Sequence, residues 1–414
     1  MGLKPIFFLT EEHLKSITMR NNEKKNIQTI IYNIAKAIQK NIRNPNEILP
    51  YGLLSGEFGI VLFLFYYAKY TKEIKDREFA EEYVESLLNK WDRISMTHTF
   101  SEGVTGILIL LRFLRNKEWL DIDLSDVQDE LDNYLLYHTR KDMKNNNWDF
   151  LHGSLGVALY FLTTKSHSHF INEYINYLYD IAEKKEIDQT FKWKSMIYPM
   201  EKVGYNFSLS HGISSISIFL SHALRDKFPN KKIEPMLIGL NNFILAHQIN
   251  QQTNEPQFPV YIIENYQPPR NRLAWCYGDL STTIALWQAA KATGNQKWFD
   301  KALNIFIYST QRRDSIKEQI KDAGICHGSA GLAMIYNRLY KETGVEIFKE
   351  TQDFWIKETV QHAHFEDGLA GYKTYEQEWV CNYSLITGIS GIGLTFISYL
   401  LNDDQDWDQI FLLS

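Results

Sequence analysis

Two hydrophobic rhythms take turns along this chain. The first places apolar residues at i, i+3, i+4 and i+7 with charges between them. It runs through "KKNIQTIIYNIAKAIQKNI", "EFAEEYVESLLNKW", "DVQDELDNYLLYH", "FINEYINYLYDIAEKKE", "IEPMLIGLNNFILAHQ", "KWFDKALNIFIYSTQ" and "VEIFKETQDFWIKETV". A one-sided apolar stripe of this kind predicts amphipathic surface helices. The second rhythm is apolar on nearly every side, which predicts helices buried all round. Each of these segments opens on a glycine, two residues, then glycine or serine. They read "SGEFGIVLFLF" from Ser55, "EGVTGILILLRFL" from Glu102, "HGSLGVALYFL" from His152 and "HGISSISIFLS" from His211. "YGDLSTTIALW" from Tyr277, "HGSAGLAMIY" from His327 and "TGISGIGLTFI" from Thr387 complete the set.

The leading glycines, Gly56, Gly103, Gly153, Gly212, Gly278, Gly328 and Gly388, recur about every 50 to 65 residues, a period typical of large repeat units. Each repeat reads as amphipathic helix, loop, glycine pair, buried helix. Hairpins of this sort cannot bury their inner helices alone, whereas stacking does so. An open solenoid needs polar capping repeats, and the first and seventh repeats are as apolar as the rest. The expectation is therefore all-α: one α/α toroid over residues 1–414, repeats about 24–402, with seven inner and seven outer helices. The glycines are expected to turn the loops with positive φ and to let backbones approach closely. Two longer connections, about 186–205 and 250–273, carry proline and β-branched residues and predict strands or ordered loops.

Composition narrows the function classes. Lys+Arg 44 against Asp+Glu 50 leaves no clustered basic surplus of the kind nucleic-acid proteins use. The N-terminal "MGLKPIFFLTEEHLK" lacks the apolar core and cleavage site of a signal peptide, and Ile6 stands where myristoylation requires Ser or Thr. No stretch is apolar for long enough to predict a transmembrane segment. Three cysteines, Cys276, Cys326 and Cys381, cannot form a closed disulfide set and fit a reducing cytoplasm.

Ring closure would gather equivalent loop positions at one mouth. Just before the leading glycines stand Ser55, Glu102, His152, His211, Tyr277, His327 and Thr387, and one position earlier stand Cys276 and Cys326. Two thiolates and the His327 imidazole suit Zn²⁺, and three protein ligands leave a fourth position for water or substrate. Packed small residues in helix-flanking loops are the plain alternative. Cys381 is out of register and reads as a buried apolar thiol. Asp149, four residues before Gly153, and His211, from the adjacent repeat, suit a carboxylate–imidazole pair for proton transfer. Arg272 and Tyr277 flank the metal loop as candidate oxyanion donors. His167, His169, His362 and His364 fall away from the glycine loops and read as solvated or loop contacts.

"AWCYGD" followed by "CHGSAG", within seven glycine-paired hairpins from about 24 to 401, resembles the lanthionine synthetase C-like family, the lantibiotic cyclases. The resemblance implies an α/α toroid with one catalytic zinc on Cys276, Cys326 and His327, and assigns catalytic roles to Asp149, His211, Arg272 and Tyr277. It implies addition of precursor-peptide cysteine thiolates to dehydroalanine or dehydrobutyrine, closing lanthionine or methyllanthionine rings. The implied partners are the dehydrated precursor peptide, a dehydratase and a peptide exporter, in the cytoplasm or at the membrane through such a complex. Ser215 and Ser281 depart from the family pattern of a second glycine, and no insertion is long enough to serve as a leader-binding domain. Other readings stay open: addition of glutathione to dehydrated residues, a peptide-binding toroid with structural zinc, and a carbohydrate enzyme pairing Glu102 with Asp149 or Asp279.

Overall fold

The structure is a computed structural model. It describes residues 11–44, 49–185, 187, 189–198, 200–249, 255–401 and 406–414, with side chains from Asn22 onward except at Asp92. The readings made on residues 1–10, and on residues 186, 188, 199 and 250–254 of the two connections, lie outside the described residues.

Fourteen α-helices alternate between surface and core among the described residues. The surface set is α1 (Glu11–Arg43), α3 (Ile74–Leu88), α5 (Ser125–Lys144), α7 (Ser168–Ile181), α9 (Ile233–Ala246), α11 (Gln296–Ser309) and α13 (Glu346–Gln361). The core set is α2 (Glu57–Thr71), α4 (Val104–Asn116), α6 (Ser154–Thr164), α8 (Ile213–Arg225), α10 (Asp279–Thr293), α12 (Ser329–Thr343) and α14 (Ile389–Leu401). The core helices are buried around most of their circumference: every residue of α10 from Asp279 to Ala290 is buried. Removing that apolar surface from water is the main force holding the ring together.

The phase of the repeat differs from the expected one. Core helices α2, α8, α10 and α12 pack on the surface helix that follows each of them, namely α3, α9, α11 and α13. Short turns with left-handed glycine caps, Gly294 after α10 and Gly344 after α12, make those pairings tight. No α-helix follows α14 among the described residues, and it packs on α1 and α2 instead. The first surface helix thus completes the last repeat, and the toroid closes.

A collar of backbone hydrogen bonds ties neighbouring glycine loops together. Leu54 N–H donates to Ser101 O, Ser101 to Leu151 O, Cys276 to Cys326 O, Cys326 to Ile386 O and Ile386 to Leu54 O. Leu209, one residue out of step, donates to Cys276 O. The joint between the third and fourth repeats lacks such a link, because Leu151 N–H turns to the Asp149 carboxylate instead.

The leading glycines do not turn with positive φ. Gly56, Gly103, Gly153 and Gly212 are extended, at φ −133°, −122°, −141° and −133°. Their role is close approach: a Cβ on Gly56 would stand 2.1 Å from Pro50 O.

The connections form small strands, as expected. β1 (Glu183–Lys185) pairs with β2 (Thr190–Lys192), and β3 (Ser195–Ile197), β4 (Lys202–Asn206) and β5 (Tyr261–Ile262) form a three-stranded antiparallel sheet. A further hairpin, β6 (Thr374–Glu376) and β7 (Glu378–Val380), stands beside the seventh glycine loop. The chain ends in a 3-10 helix, Asp406–Phe411, buried against the core helices.

Candidate metal centre

Each glycine loop is built to one plan. Three residues before the leading glycine stands a large apolar anchor: Leu53, Phe100, Phe150, Leu209, Trp275, Ile325 or Leu385, none more than 1% exposed. With that side chain sunk in the core, the next residue lies in the collar and the one after it on the rim. Cys276 and Cys326 are both collar residues and are joined directly by the Cys276 N–H to Cys326 O bond of 3.2 Å. His327 is the rim residue beside Cys326.

The ligand atoms of Cys276, Cys326 and His327 lie within 4.8 Å of one another. Metal–sulfur and metal–nitrogen bonds of about 2.3 and 2.0 Å in tetrahedral geometry require separations of this order. Two soft thiolates and one borderline imidazole fit Zn²⁺, and three ligands leave one position open. The three groups are coupled through hydrogen bonds. Cys276 accepts from Cys326, the largest influence, and from His327, and its thiol falls well below the usual range although burial opposes this. Cys326 rises well above it because it donates to Cys276. Burial alone would lower His327, but the negative Cys276 sulfur raises it. Arg272 Nη2 lies 3.9 Å from Cys276 Sγ.

The rim beside the cluster carries the paired Asp149 and His211. His211 Nδ1 lies 2.7 Å from Asp149 Oδ2. The other oxygen, Oδ1, accepts the backbone N–H groups of Leu151 and His152, each at 2.8 Å. Burial pulls the His211 imidazole down, but the Asp149 hydrogen bond and charge outweigh it and the net shift is upward. Tyr277 lies next to His211, ring centroids 5.8 Å apart, and its hydroxyl accepts from Asn206 Nδ2 at 3.3 Å. Burial first, then the charges of Cys276 and Asp149, push its phenol up to about 12, so it stays a hydrogen-bond donor. Asp149, His152, His211 and Tyr277 line one cavity of about 760 Å³, together with Trp148 and, from β3, Met196. The cavity opens at the joint where the collar is broken.

The structure therefore groups Arg272 with Cys276, Cys326 and His327, and places Asp149, His211 and Tyr277 together on the wall of the neighbouring cavity. Cys381 stays apart from the cluster. It is not the expected buried thiol: it is partly exposed, 3.6 Å from Asp367 O, because the β6–β7 hairpin carries it outward. His167 is held by Asp132 at 2.7 Å and His364 stacks on Phe365, both loop contacts. Asp279, proposed as a partner carboxylate for sugar chemistry, is consumed by the amides of Gln257 and Phe258 and by Arg312.

Sequence reasoning missed two residues in contact with these groups. His152 stacks on His211, centroids 5.5 Å apart and planes 15° apart. Its signal was present in its rim position. Asn206 orients Tyr277, and it stands six residues before Gly212, as Arg272 does before Gly278 and Asp322 before Gly328.

Residues 47–412 match the family described as "Lanthionine synthetase C-like protein". Among solved structures, one titled "Nisin cyclase" superposes with a TM-score of 0.74 at 20% sequence identity, over 95% of this chain and 98% of that one. At that identity the likeness shows the fold. No curated protein sequence matches the chain.

Proposed function

The chain belongs to the lanthionine synthetase C-like family, and from that premise we propose a zinc-dependent peptide cyclase acting as one toroidal unit. It closes thioether rings by adding cysteine thiols of a dehydrated precursor peptide to dehydroalanine or dehydrobutyrine. The observation that carries this reading is the convergence of two sulfurs and one imidazole within 4.8 Å, next to Tyr277, which lines one cavity with the Asp149–His211 pair.

Cys276, Cys326 and His327 would hold the zinc. Bound there, zinc supplies Lewis-acid activation of a thiol whose ordinary pKa of about 8.5 leaves it mostly protonated at neutral pH. His211, fixed by Asp149 through Nδ1, has Nε2 available to accept the thiol proton. As the S–Cβ bond forms, the C=C π pair moves onto the carbonyl as an enolate. Tyr277, kept protonated, and Arg272, beside Cys276, would donate to that oxygen. Return of a proton to the α-carbon restores the carbonyl and completes the addition, and His211 is the group charged by the first transfer. The setting proposed is cytoplasmic, in company with a dehydratase and an exporter.

Metal analysis of the purified protein and of Cys326→Ala tests the centre: one zinc per wild-type chain is expected, and little in the variant. A wild-type protein without zinc, or a variant with a full equivalent, refutes it. His211→Asn should keep its zinc while ring closure slows about 10² to 10⁴-fold; undiminished turnover would remove His211 from the mechanism. A zinc-loaded wild type that cyclises no dehydrated peptide but couples glutathione to one turns the reading to external thiol addition. Inactivity in both assays leaves a peptide-binding scaffold.

A further inference from the structure

Behind the rim lies a buried ionic cluster that the mechanism above does not use. Asp279 is the first residue of α10, three past Cys276, and its side chain is 1% exposed. Its Oδ2 accepts Gln257 N–H at 2.8 Å and its Oδ1 accepts Phe258 N–H at 2.9 Å. Arg312, 2% exposed, pairs with the same carboxylate and with Glu318, and donates to Asn271 O at 3.0 Å. Glu318 is held in turn by Arg270 at 2.9 Å. Asn271 Nδ2 bonds Phe258 O at 3.0 Å.

Arg272 is caught between these groups. Its N–H donates to Asn271 Oδ1 at 3.0 Å and its carbonyl accepts Asp279 N–H at 3.1 Å. Both ends of its peptide unit are thus tied to the cluster while its guanidinium reaches Cys276 Sγ. We infer that Asp279 and Arg312 are positioning residues: a clamp that fixes residues 255–273, and through them Arg272, against the metal loop. The inference rests on the cyclase reading for the use it assigns to Arg272.

Stability alone does not call for this arrangement. Apolar residues of similar volume often replace a buried ion pair with no loss of stability. Apolar side chains cannot, however, accept two amide hydrogens and bind a carbonyl, and those are the bonds that place the connection. Positioning matters because a displacement of about 1 Å near the chemistry can cost about 10²-fold in rate.

The test is Asp279→Asn in the full-length, zinc-loaded protein. Its amide can no longer accept both backbone N–H groups beside Arg312. Zinc content should stay at the wild-type level, kcat should fall about 10-fold or more, and KM should move less than kcat. Because the residue acts through Arg272, adding Arg272→Ala to Asp279→Asn should slow the reaction less than about 3-fold further, although Arg272→Ala alone slows it strongly. Hydrogen exchange should accelerate in peptides covering residues 255–273 and stay slow in α10. Wild-type kcat, effects that multiply independently, or unchanged exchange each overturn the clamp.

If Asp279→Asn fails to fold, the pair Asp279→Leu with Arg312→Met decides. Recovered thermal stability with persistently low kcat supports positioning. Recovered kcat overturns it, and so does a pair that also fails to fold, which would make the cluster a folding element. A zinc-loaded wild type without cyclase activity sinks the cyclase reading instead, and the exchange result still decides whether the connection is clamped.

Discussion

Asp149 uses its two oxygens for different ends: Oδ1 shapes the loop through two amides, and Oδ2 orients His211. The pair also sets a pH dependence. The folded imidazole titrates above its ordinary 6.5, whereas the unfolded one does not. The pair's stabilisation is therefore complete below about pH 6.5 and is lost as pH rises through the folded value. The stability gap between wild type and His211→Asn, read by denaturant titration, should narrow from pH 6 to pH 9. His222 on α8 runs the other way. Burial first, then Arg225 and Lys291, push it down to about 3, and its Nε2 has no protein partner. As pH falls from 6.5 towards 3, the unfolded chain gains a proton that the folded one refuses. Stability should drop by up to about 1.4 kcal/mol per pH unit from this group, and His222→Leu should flatten that acid limb. At this scale the sequence was readable where register carried the information. Cys276 and Cys326 are matched positions of neighbouring repeats, so their meeting followed from ring closure. Asp279 was not readable, because its partners lie 21, 22 and 33 residues away and no local pattern announces them.

At the scale of the element, the second glycine of each pair explains why the core helices begin where they do. It sits one turn into the helix, against the carbonyl of the apolar anchor. A Cβ would stand 1.9 Å from Ile325 O at Gly331, 2.1 Å from Phe100 O at Gly106 and 2.1 Å from Leu385 O at Gly391. Gly331→Ala must push the Cys326–His327 loop off α12. It should cost about 1–3 kcal/mol and weaken zinc retention against a chelator, whereas Gly344→Ala should be felt as backbone strain alone, since open space surrounds that position. In the fourth and fifth repeats Ser215 and Ser281 replace the glycine, and their hydroxyls bond Gly212 O and Gly278 O at 2.7 Å. The fourth is also the repeat whose collar bond is one residue out of step. Helix existence was legible from periodicity, but helix ends were less so. The run "FINEYINYLYDIAEKKE" continues the helical pattern on paper, yet α7 stops at Ile181 and Glu183–Lys185 pairs with β2. Those last charged residues offer no apolar side chain to the core, so strand pairing wins there.

On the scale of the whole molecule, closure depends on the two ends of the chain, which the repeat pattern alone does not single out. α1 gives Ile27, Ile30, Ile31, Ile34 and Ile38 to the core. At its contact with α14 and α2, a Cβ on Gly393 would meet Phe63 Cε2 at 2.4 Å and Ile34 Cγ2 at 3.3 Å. Ile34→Ala opens a cavity at that seam and should cost about 2–5 kcal/mol. The C-terminal segment seals the other weak place, against α10, α12 and α14. Arg338 holds the fully buried Asp408 with two bonds of 2.7 and 2.6 Å, Trp407 Nε1 donates to Ser398 Oγ at 2.9 Å, and Gln288 Nε2 donates to Leu413 O at 3.2 Å. Its consequence for the centre runs through one residue. Trp275, which precedes Cys276 and anchors that loop in the core, donates its indole N–H to Phe411 O at 2.7 Å and packs edge-on to the Phe411 ring, centroids 5.2 Å apart. A chain ending at residue 405 strips the indole of its acceptor and exposes the underside of the anchor. It should therefore lose thermal stability and release zinc to a chelator faster than the full chain, although Cys276, Cys326 and His327 are untouched. Arg338→Met should do the same more mildly, because it takes the guanidinium from a buried carboxylate, at a cost of about 3–5 kcal/mol. Zinc release at the wild-type rate from the shortened chain would break the link between the tail and the metal loop.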